Sequence, residues 1–513
     1  MSDDLKSLNN HLRSWLDQNP VEIGVHWYSN LEISLRAIAW VQILELAGDR
    51  LDRDVKREML ATLRHAGRHL LVELPYTLSS MRNNHLLGDA LGMITIGEMF
   101  STTREGRILS TVGNRIFDQQ LERQVHDDGS MIEDSISYHR FVLEMLAVRM
   151  LLPRPPEDVR DALERSAQFM FRLGVAEGPV PQYGDWDEGR VLAVSGDKTE
   201  LLGSARLGLA LAGSGAPEEW HEQHDEVAWY APRGEPVEPQ PAERTGRDIG
   251  GGIARAAVGP FTVWLKAGSQ PSHGHADLTS VAIARDGHWL IGDPGTGTYN
   301  GPIEQRNYFR CSIAHDVVRV EGLDQLEPHR AFRWLHRATG VIGPPLQLPD
   351  GTVLMWGAHD AYRRLTPHAR RIARAVLVAS NGVTITDWVE GPPTTYALSI
   401  PLPPDVDHTT IPLYLPGEPT VIRGSVDPYD GWWSRTYGTT ELATRLELRG
   451  KTDKPIVWTV GDRAVPVVSA QRVSAEVHEL EMTWADQGAR LRCVSRVDDD
   501  GTSVEQVAFL RLA

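Results

Sequence analysis

From about residue 29 to residue 212 the apolar positions recur at the spacing of amphipathic helices. The stretch LEISLRAIAWVQILELAG sets Leu31, Ile33, Leu35, Ile38, Trp40, Ile43 and Leu46 on one broad stripe, and Gly48 follows as a candidate cap. The same period runs through VKREMLATLRHAGRHLLVEL, HLLGDALGMITIGEMF, RILSTVGNRIFDQQLERQV, YHRFVLEMLAVRMLL and VRDALERSAQFMFRLG. Six to eight helices, mostly antiparallel neighbours, are predicted. Between residues 213 and 250, Pro217, Pro232, Pro236, Pro239 and Pro241 stand among glycines and acids, the texture of a connector. Past Ile253 the period shortens to two in FTVWLKAG, TSVAIARDGHWLIGD, HDVVRVEG, RRIARAVLVASNGVTITDWVEG, TRLELRG, PIVWTVG, ARLRCVSRV and VEQVAFLRL. Asp286-Gly287 marks a hairpin, and no helix is predicted in this half. The division read from these periods is a helical domain over 1–215, a linker over 216–250 and an antiparallel sheet domain over 251–513.

Length supports more than one core, since 513 residues exceed what a single one usually serves. Charge changes the picture more. With 52 basic against 69 acidic side chains the formal charge is −17 and no basic run stands out, which argues against a nucleic-acid partner. An anionic substrate would be repelled at long range and would need a local cluster of donors. The N-terminus MSDDLKSLNNHLRSWLDQNP has acids where an export signal has bases, and no apolar run reaches membrane-spanning length, so a cytoplasmic protein without a membrane partner is expected. Two cysteines, Cys311 and Cys493, make no disulfide framework. The oligomeric state is left open, a homodimer being one compatible assembly.

Within the strand-like half, SHGHAD at residues 272–277 carries two imidazoles one glycine apart. Positions i and i+2 of a strand face one side, so His273 and His275 would crowd unless Gly274 bends the chain. GDPGTGTYN with Asp293 and RNYFRCSIAHDVV with His315 follow at gaps of 18 and 22 residues. Two imidazoles and a carboxylate suit zinc; singly, each histidine could equally be a buried residue bonded to an acid. In the helical half, WYSNLEISLR (Asn30, Arg36), RNNHLLGD (Asn84, His85, Asp89), DDGSMIEDSISYHR (Glu133, Tyr138, Arg140) and PQYGDWDEGR (Tyr183, Asp185, Asp187, Arg190) hold polar groups that a plain bundle does not need. Each has a structural alternative: Asn84 as a cap, Glu133 with Arg140 as a surface pair, the Asp-Gly steps as turns.

Taken together, NNH, DGSxxExSxxYHR, GDWDEGR, SHGHADL, DPGTGTYN and RNYFRCSIAHD resemble the heparinase II/III family of polysaccharide lyases over roughly residues 27 to 440. The resemblance implies an incomplete (α/α) toroid followed by an antiparallel β-sandwich. It implies that the first histidine of HGH faces a substrate cleft and the second binds a structural Zn2+, one per chain, held by His275, Asp293 and His315. Asn84, His85, Tyr138 and His273 would be catalytic, with Asn30, Glu133, Arg140, Asp185, Tyr299 and Arg310 as substrate-binding positions. Two departures stand out: Asp316 replaces the family's usual asparagine after the third ligand, and RCS at 310–312 replaces the more usual RST. An acid beside a ligand would alter the groups that orient it.

Eliminating across a uronate glycoside requires a donor that holds the sugar carboxylate, a base for the proton on the adjacent carbon, and an acid for the leaving oxygen. Asn84 with His85 suits the first task, and His273 and Tyr138 suit the others. Syn and anti elimination both remain open. The expected partner is an acidic poly- or oligosaccharide of the heparan, alginate or bacterial exopolysaccharide kind. The alternatives are a non-catalytic or biosynthetic glycan-binding protein on the same scaffold, or a glycoside hydrolase using Asp185 and Asp187; the latter pair, two residues apart in a loop, has no reason to face across a bond.

Overall fold

The fold is taken from a computed structural model that describes residues 3–194, 200–240, 247–268, 273–365 and 370–462, with the backbone of four further strands beyond residue 466. Ser272, Pro241 and the side chain of Cys493 lie outside the described residues.

Eight helices open the chain: α1 (Asp3–Gln18), α2 (Asn30–Ala47), α3 (Arg53–Ser80), α4 (Asn84–Met99), α5 (Arg104–Gln124), α6 (Ile136–Leu151), α7 (Glu157–Leu173) and α8 (Leu202–Ala212). Helix α4 packs against α2, α3, α5 and α6, so it is buried from Leu86 to Gly97, as expected of a helix apolar all round. Its glycines make the approach possible. A Cβ at Gly92 would lie 2.9 Å from the Ser34 backbone, and one at Gly88 would lie 2.3 Å from a Leu31 methyl. Gly48 departs from expectation, since it keeps helical backbone (φ −56°) and bonds back to Leu44 instead of turning left-handed. The connector also holds more structure than its prolines suggest. Helices α9 (Glu218–Gln223) and α10 (Asp225–Tyr230) bury Trp220 and Val227, and Pro217 sits at the N-cap of the first.

The second half starts with a five-stranded antiparallel meander of β1 (Arg247–Gly250), β2 (Ile253–Val258), β3 (Phe261–Lys266), β4 (Ser280–Arg285) and β5 (His288–Ile291). The β4–β5 turn has Asp286 at φ 49° and Gly287 at φ 78°, the two left-handed residues of a type I′ hairpin. Both faces of this sheet are used. Ile253, Trp264, Ala282 and Ala284 belong to the core of the helical half, while Ala254, Ala256, Val263, Leu265, Val281 and Ile283 belong to a second core. Strand alternation sends neighbouring side chains to opposite faces. The second core is closed by a sheet built on strands Val353–His359, Ile372–Ala379, Gly382–Val389 and Ile456–Gly461, and by another of Thr420–Arg423, Thr444–Lys451, Thr395–Leu402 and β6 (Val317–Val320). The terminal strands form a separate four-stranded meander.

Two expectations are corrected. A helix does occur in the second half: α11 (Ile303–Arg310), between β5 and β6, with Tyr308 and Phe309 packed near Tyr429 and Trp432. The described part of SHGHAD is a loop leading into β4, not strand.

Candidate active site and metal centre

Three segments meet at the end of α6. Ser135 caps that helix by accepting the Tyr138 amide (3.2 Å), and its hydroxyl donates to the Asp185 carbonyl. The Ile136 amide bonds Tyr183 O (3.1 Å), and the Asp185 amide bonds His273 O (2.8 Å). The 183–187 loop is thus pinned between α6 and the 273–275 loop. Gly184 makes the turn at φ 74°, where a Cβ would stand 2.5 Å from Asp134 O.

Asp185 is fully buried and is the hub of the site. One oxygen accepts from Arg306 Nη1 (2.6 Å) and lies 3.1 Å from His275 Nε2; the other accepts from Arg306 Nη2 (2.8 Å) and lies 3.0 Å from His273 Nδ1. Burial alone would raise its pKa, but Arg306 and the two imidazoles hold it well below the usual carboxylate range. With both oxygens occupied, Asp185 has no capacity left for a substrate group. It is a positioning residue, which revises its expected place among the substrate contacts.

The two histidines share that carboxylate and then part company. His273 stacks on the Tyr138 ring (centroids 3.9 Å, 23°) and meets the edge of Phe332 at 5.5 Å. Burial works to lower its pKa, but the bond to Asp185 and the nearby acids Glu133 and Asp187 leave it raised. Among the described residues its Nε2 has no protein partner. Tyr138 donates its hydroxyl to Asp187 Oδ2 (2.8 Å), and burial together with that carboxylate pushes the phenol well above its ordinary range. Tyr138 is therefore a protonated phenol at neutral pH. His85 is pushed down to about 4 by burial and by the charge of His273, so it is a neutral imidazole.

Asn84 is buried and gives its amide to both oxygens of Glu133 (3.0 and 2.8 Å). The group expected to hold a substrate carboxylate thus already holds a protein carboxylate. Tyr299 lies beside this cluster, its buried hydroxyl next to that of Tyr138 and Arg306 stacked on its ring at 4.9 Å. The other expected substrate contacts sit elsewhere. Asn30 bonds Thr77 of α3 (3.0 Å), near the buried Asp89. Arg140 lies inside the helical half on the carbonyls of Glu200 and Gly189. Arg310 donates to the carbonyls of Arg330 and Ala331. Arg306 was not singled out by the sequence, and Asp187 was read only as a loop acid or as the partner of Asp185 in a hydrolase pair, not as the acceptor of the Tyr138 hydroxyl. Arg306 stands one helical turn before Arg310, a signal that goes unread when α11 is taken for strand or loop.

On the far side of Asp185, His275, Asp293 and His315 offer ligand atoms within 4.8 Å of one another, and all three residues are buried. His315 Nε2 makes no hydrogen bond, and its Nδ1 and Asp293 Oδ2 stand 3.2 Å apart as an ion pair without a hydrogen bond of sound geometry. Buried polar atoms lacking partners mark a position where an ion would satisfy them, and the His, His, Asp donor set fits zinc. Asp185, taking His275 Nε2, is the carboxylate that would orient that ligand. Asp316, the departure from the family pattern, turns away: its Oδ1 accepts from Arg374 (3.0 Å), which also holds Asp387 through two bonds. Asp277 pairs with Lys266 (2.9 Å), which also reaches Asp134 across the two halves.

With this geometry in place, the comparisons are decisive as to family. Residues 5–188 match the model of the heparinase II/III N-terminus and residues 239–460 that of the heparinase II/III-like C-terminal region, together most of the chain. The chain belongs to the heparinase II/III family. No curated relative matches this member in sequence. Solved structures share its fold at low identity. A heparinase III aligns over 99% of this chain and 80% of its own at 16% identity (TM-score 0.61). The heparan sulfate lyase HepC of Pedobacter heparinus aligns over 99% and 79% at 14% identity (TM-score 0.57). A chondroitin AC lyase of Streptomyces coelicolor A3, solved with chondroitin sulphate, aligns over 96% and 80% at 12% identity (TM-score 0.51). The heparinase II/III motifs quoted from the sequence are the segments that converge on Asp185 and on the His275, Asp293, His315 set.

Proposed function

We propose that the protein is a polysaccharide lyase that cleaves uronate-containing poly- or oligosaccharides by β-elimination, leaving an unsaturated uronate end. The observation that carries this reading is the array Asp185, His273, Tyr138. A buried carboxylate takes Nδ1 of the histidine, which fixes the ring and leaves Nε2 as the basic nitrogen, and the stacked phenol stays protonated beside it. His273 Nε2, in its neutral form, takes the proton from the carbon next to the sugar carboxylate. Tyr138 gives its phenolic proton to the departing glycosidic oxygen. Asn84 gives its amide to Glu133 in the free protein; on binding it would turn one of its two amide protons from Glu133 to the sugar carboxylate, whose charge grows in the transition state, with neutral His85 beside it. A hydrolase using Asp185 and Asp187 finds no support, because Asp185 is saturated by Arg306 and both imidazoles.

His275, Asp293 and His315 would hold one structural Zn2+, which would tie the 273–275 loop to β6 and add its binding free energy to folding. The test is direct: wild type, Tyr138→Phe and His273→Ala are assayed on a panel of uronate polymers and oligomers for new ultraviolet absorbance. Wild type is expected to generate it on at least one, with each variant slower by about 10²-fold or more. A wild type inert on every uronate, or a variant as fast as wild type, would remove the corresponding assignment.

A further inference from the structure

Residues 327 to 335 form a small hairpin over the site that the proposed chemistry does not use. It is closed by the Pro328–Trp334 bridge, by His329 N to Arg333 O (2.8 Å) and by Leu335 N to Glu327 O (2.9 Å), and it turns at Arg330 with φ 59°. Surface loops usually leave their carbonyls to water. Here the tip is gripped from beneath. Ala331 O accepts from Arg306 Nε (3.1 Å), Arg306 Nη2 (3.0 Å) and Arg310 Nη1 (2.9 Å), and Arg330 O accepts from Arg310 Nη2 (2.6 Å). Trp334 adds a bond to Gly274 O (3.3 Å) and lies against the Arg310 guanidinium. Arg306 is the residue that also clamps Asp185, so the hairpin and the His273 ring hang from one guanidinium.

What the hairpin presents outward is as particular as its anchoring. Phe332 is 38% exposed and keeps its ring at 5.5 Å from His273 and 5.0 Å from Tyr299. His329, Arg330 and Arg333 are exposed beside it, and none of them pairs with an acid among the described residues. In a chain of charge −17, three exposed basic residues within three positions of Phe332 in this hairpin supply the local donor cluster that an anionic substrate needs.

We propose that this hairpin is the specificity element of the site, in which Phe332 offers a stacking face to the sugar across the cleaved bond from the uronate that Asn84 and His85 hold, and Arg330 and Arg333 pair with carboxylate or sulfate groups of that second sugar. The inference rests on reading the site as one for an acidic glycan. It selects glycans in which the sugar across the cleaved bond from the eliminated uronate is itself anionic, since a guanidinium fork matches carboxylate and sulfate oxygens in pairs.

The test uses the full chain and oligosaccharides of chondroitin sulfate, heparan sulfate and alginate. Turnover is read by ultraviolet absorbance, and binding is read by calorimetry on a Tyr138→Phe background. Phe332→Ala is expected to raise KM and weaken binding about tenfold while kcat stays within about threefold, with Phe332→Trp restoring both. The double variant Arg330→Ala/Arg333→Ala is expected to weaken binding at about 50 mM salt and to lose the salt dependence that wild type shows up to about 0.5 M. The melting temperature of Arg330→Ala/Arg333→Ala should stay near wild type, because both side chains are exposed, and the recovery by Phe332→Trp separates the loss of a stacking face from any loss of packing in Phe332→Ala. Unchanged KM and affinity in both variants, alongside turnover by wild type, would overturn the hairpin's role and leave the lyase reading intact. Binding that weakens in Phe332→Ala without turnover by any wild-type sample would keep the hairpin and overturn the lyase reading. Failure of wild type to bind or cleave any member of the panel would overturn both.

Discussion

Asp185 shows how one side chain can decide what its neighbours are able to do. Replacing it with asparagine removes the charge facing the buried Arg306 and turns one imidazole's acceptor into a donor. Breaking a buried pair from one side costs about 3–5 kcal/mol, so Asp185→Asn should be destabilised by that order in urea unfolding and lose turnover. The variants of the two histidines separate the functions hung from that carboxylate. His275→Ala should lose zinc by elemental analysis and melt lower. His273→Ala should lose turnover with its zinc content kept; equal metal loss in both would mean that they share the ion. A third residue gives the pH dependence. Asp89 is buried on α4 with its pKa pushed up to about 7, chiefly by burial. An acid whose folded pKa is raised favours folding while protonated, so this contribution is complete below about pH 4, declines as pH rises toward 7, and is absent above it. Asp89→Asn should therefore stabilise the protein at pH 8 by on the order of a few kcal/mol, and by progressively less as pH falls to about 4. A difference between the two proteins that does not vary with pH would show that Asp89 is not the titrating group. At this scale the sequence was legible where chemistry has a local signature: Tyr138, His273 and Asn84 stand in quotable motifs. Asp187 and Arg306 stand in quoted motifs too, GDWDEGR and RNYFRCSIAHD, but their roles, like that of Phe332, come from partners 49, 121 and 59 positions away (Tyr138, Asp185 and His273), and no spacing rule reaches that far.

Elements were legible where the period was long. Helices α2 to α7 and strands β3, β4 and β5 carry enough repeats to be recognised, whereas the four residues of β1 fall inside the stretch read as linker. The eight residues of α11 carry only two turns, five of them with charged or amide side chains, and an all-strand neighbourhood hides them. Loops were read as punctuation, yet the 183–187 loop positions the site through backbone bonds that any sequence could make. Its exception is Gly184. Gly184→Ala should cost about 1–3 kcal/mol, since its methyl would strike Asp134 O at a left-handed φ, and should slow turnover by displacing Asp185. Gly351 is the matched control: φ is 84°, nothing lies within 4 Å of its added carbon, and Gly351→Ala should lose about 1 kcal/mol and no activity. Melting temperatures and rates for the two variants, measured side by side, separate strain from collision. An equal loss of stability in both would show that the crowding at Gly184 is immaterial.

Across the whole molecule the decisive feature is the five-stranded sheet. Trp264 gives its indole N–H to Leu173 O at the end of α7 (2.9 Å), Arg255 pairs with Glu177, and Lys266 reaches Asp134, all from the face opposite to Val263 and Leu265. The division into two domains that the periods suggest is thus a division of pattern, while burial is continuous through the shared sheet. Unfolding should accordingly be one transition, with helix loss by circular dichroism and tryptophan exposure by fluorescence coinciding; two separated midpoints would contradict it. The sheet also limits how such a chain can change over time. With β2, β3 and β4 covered on both faces, successive positions of one strand answer to different halves, and no cut on either side leaves a fragment whose surface is finished. Recombination that exchanged the helical half for a stranger's would strip one face of the wall bare, so the two halves are bound to be inherited, and to drift, as a pair.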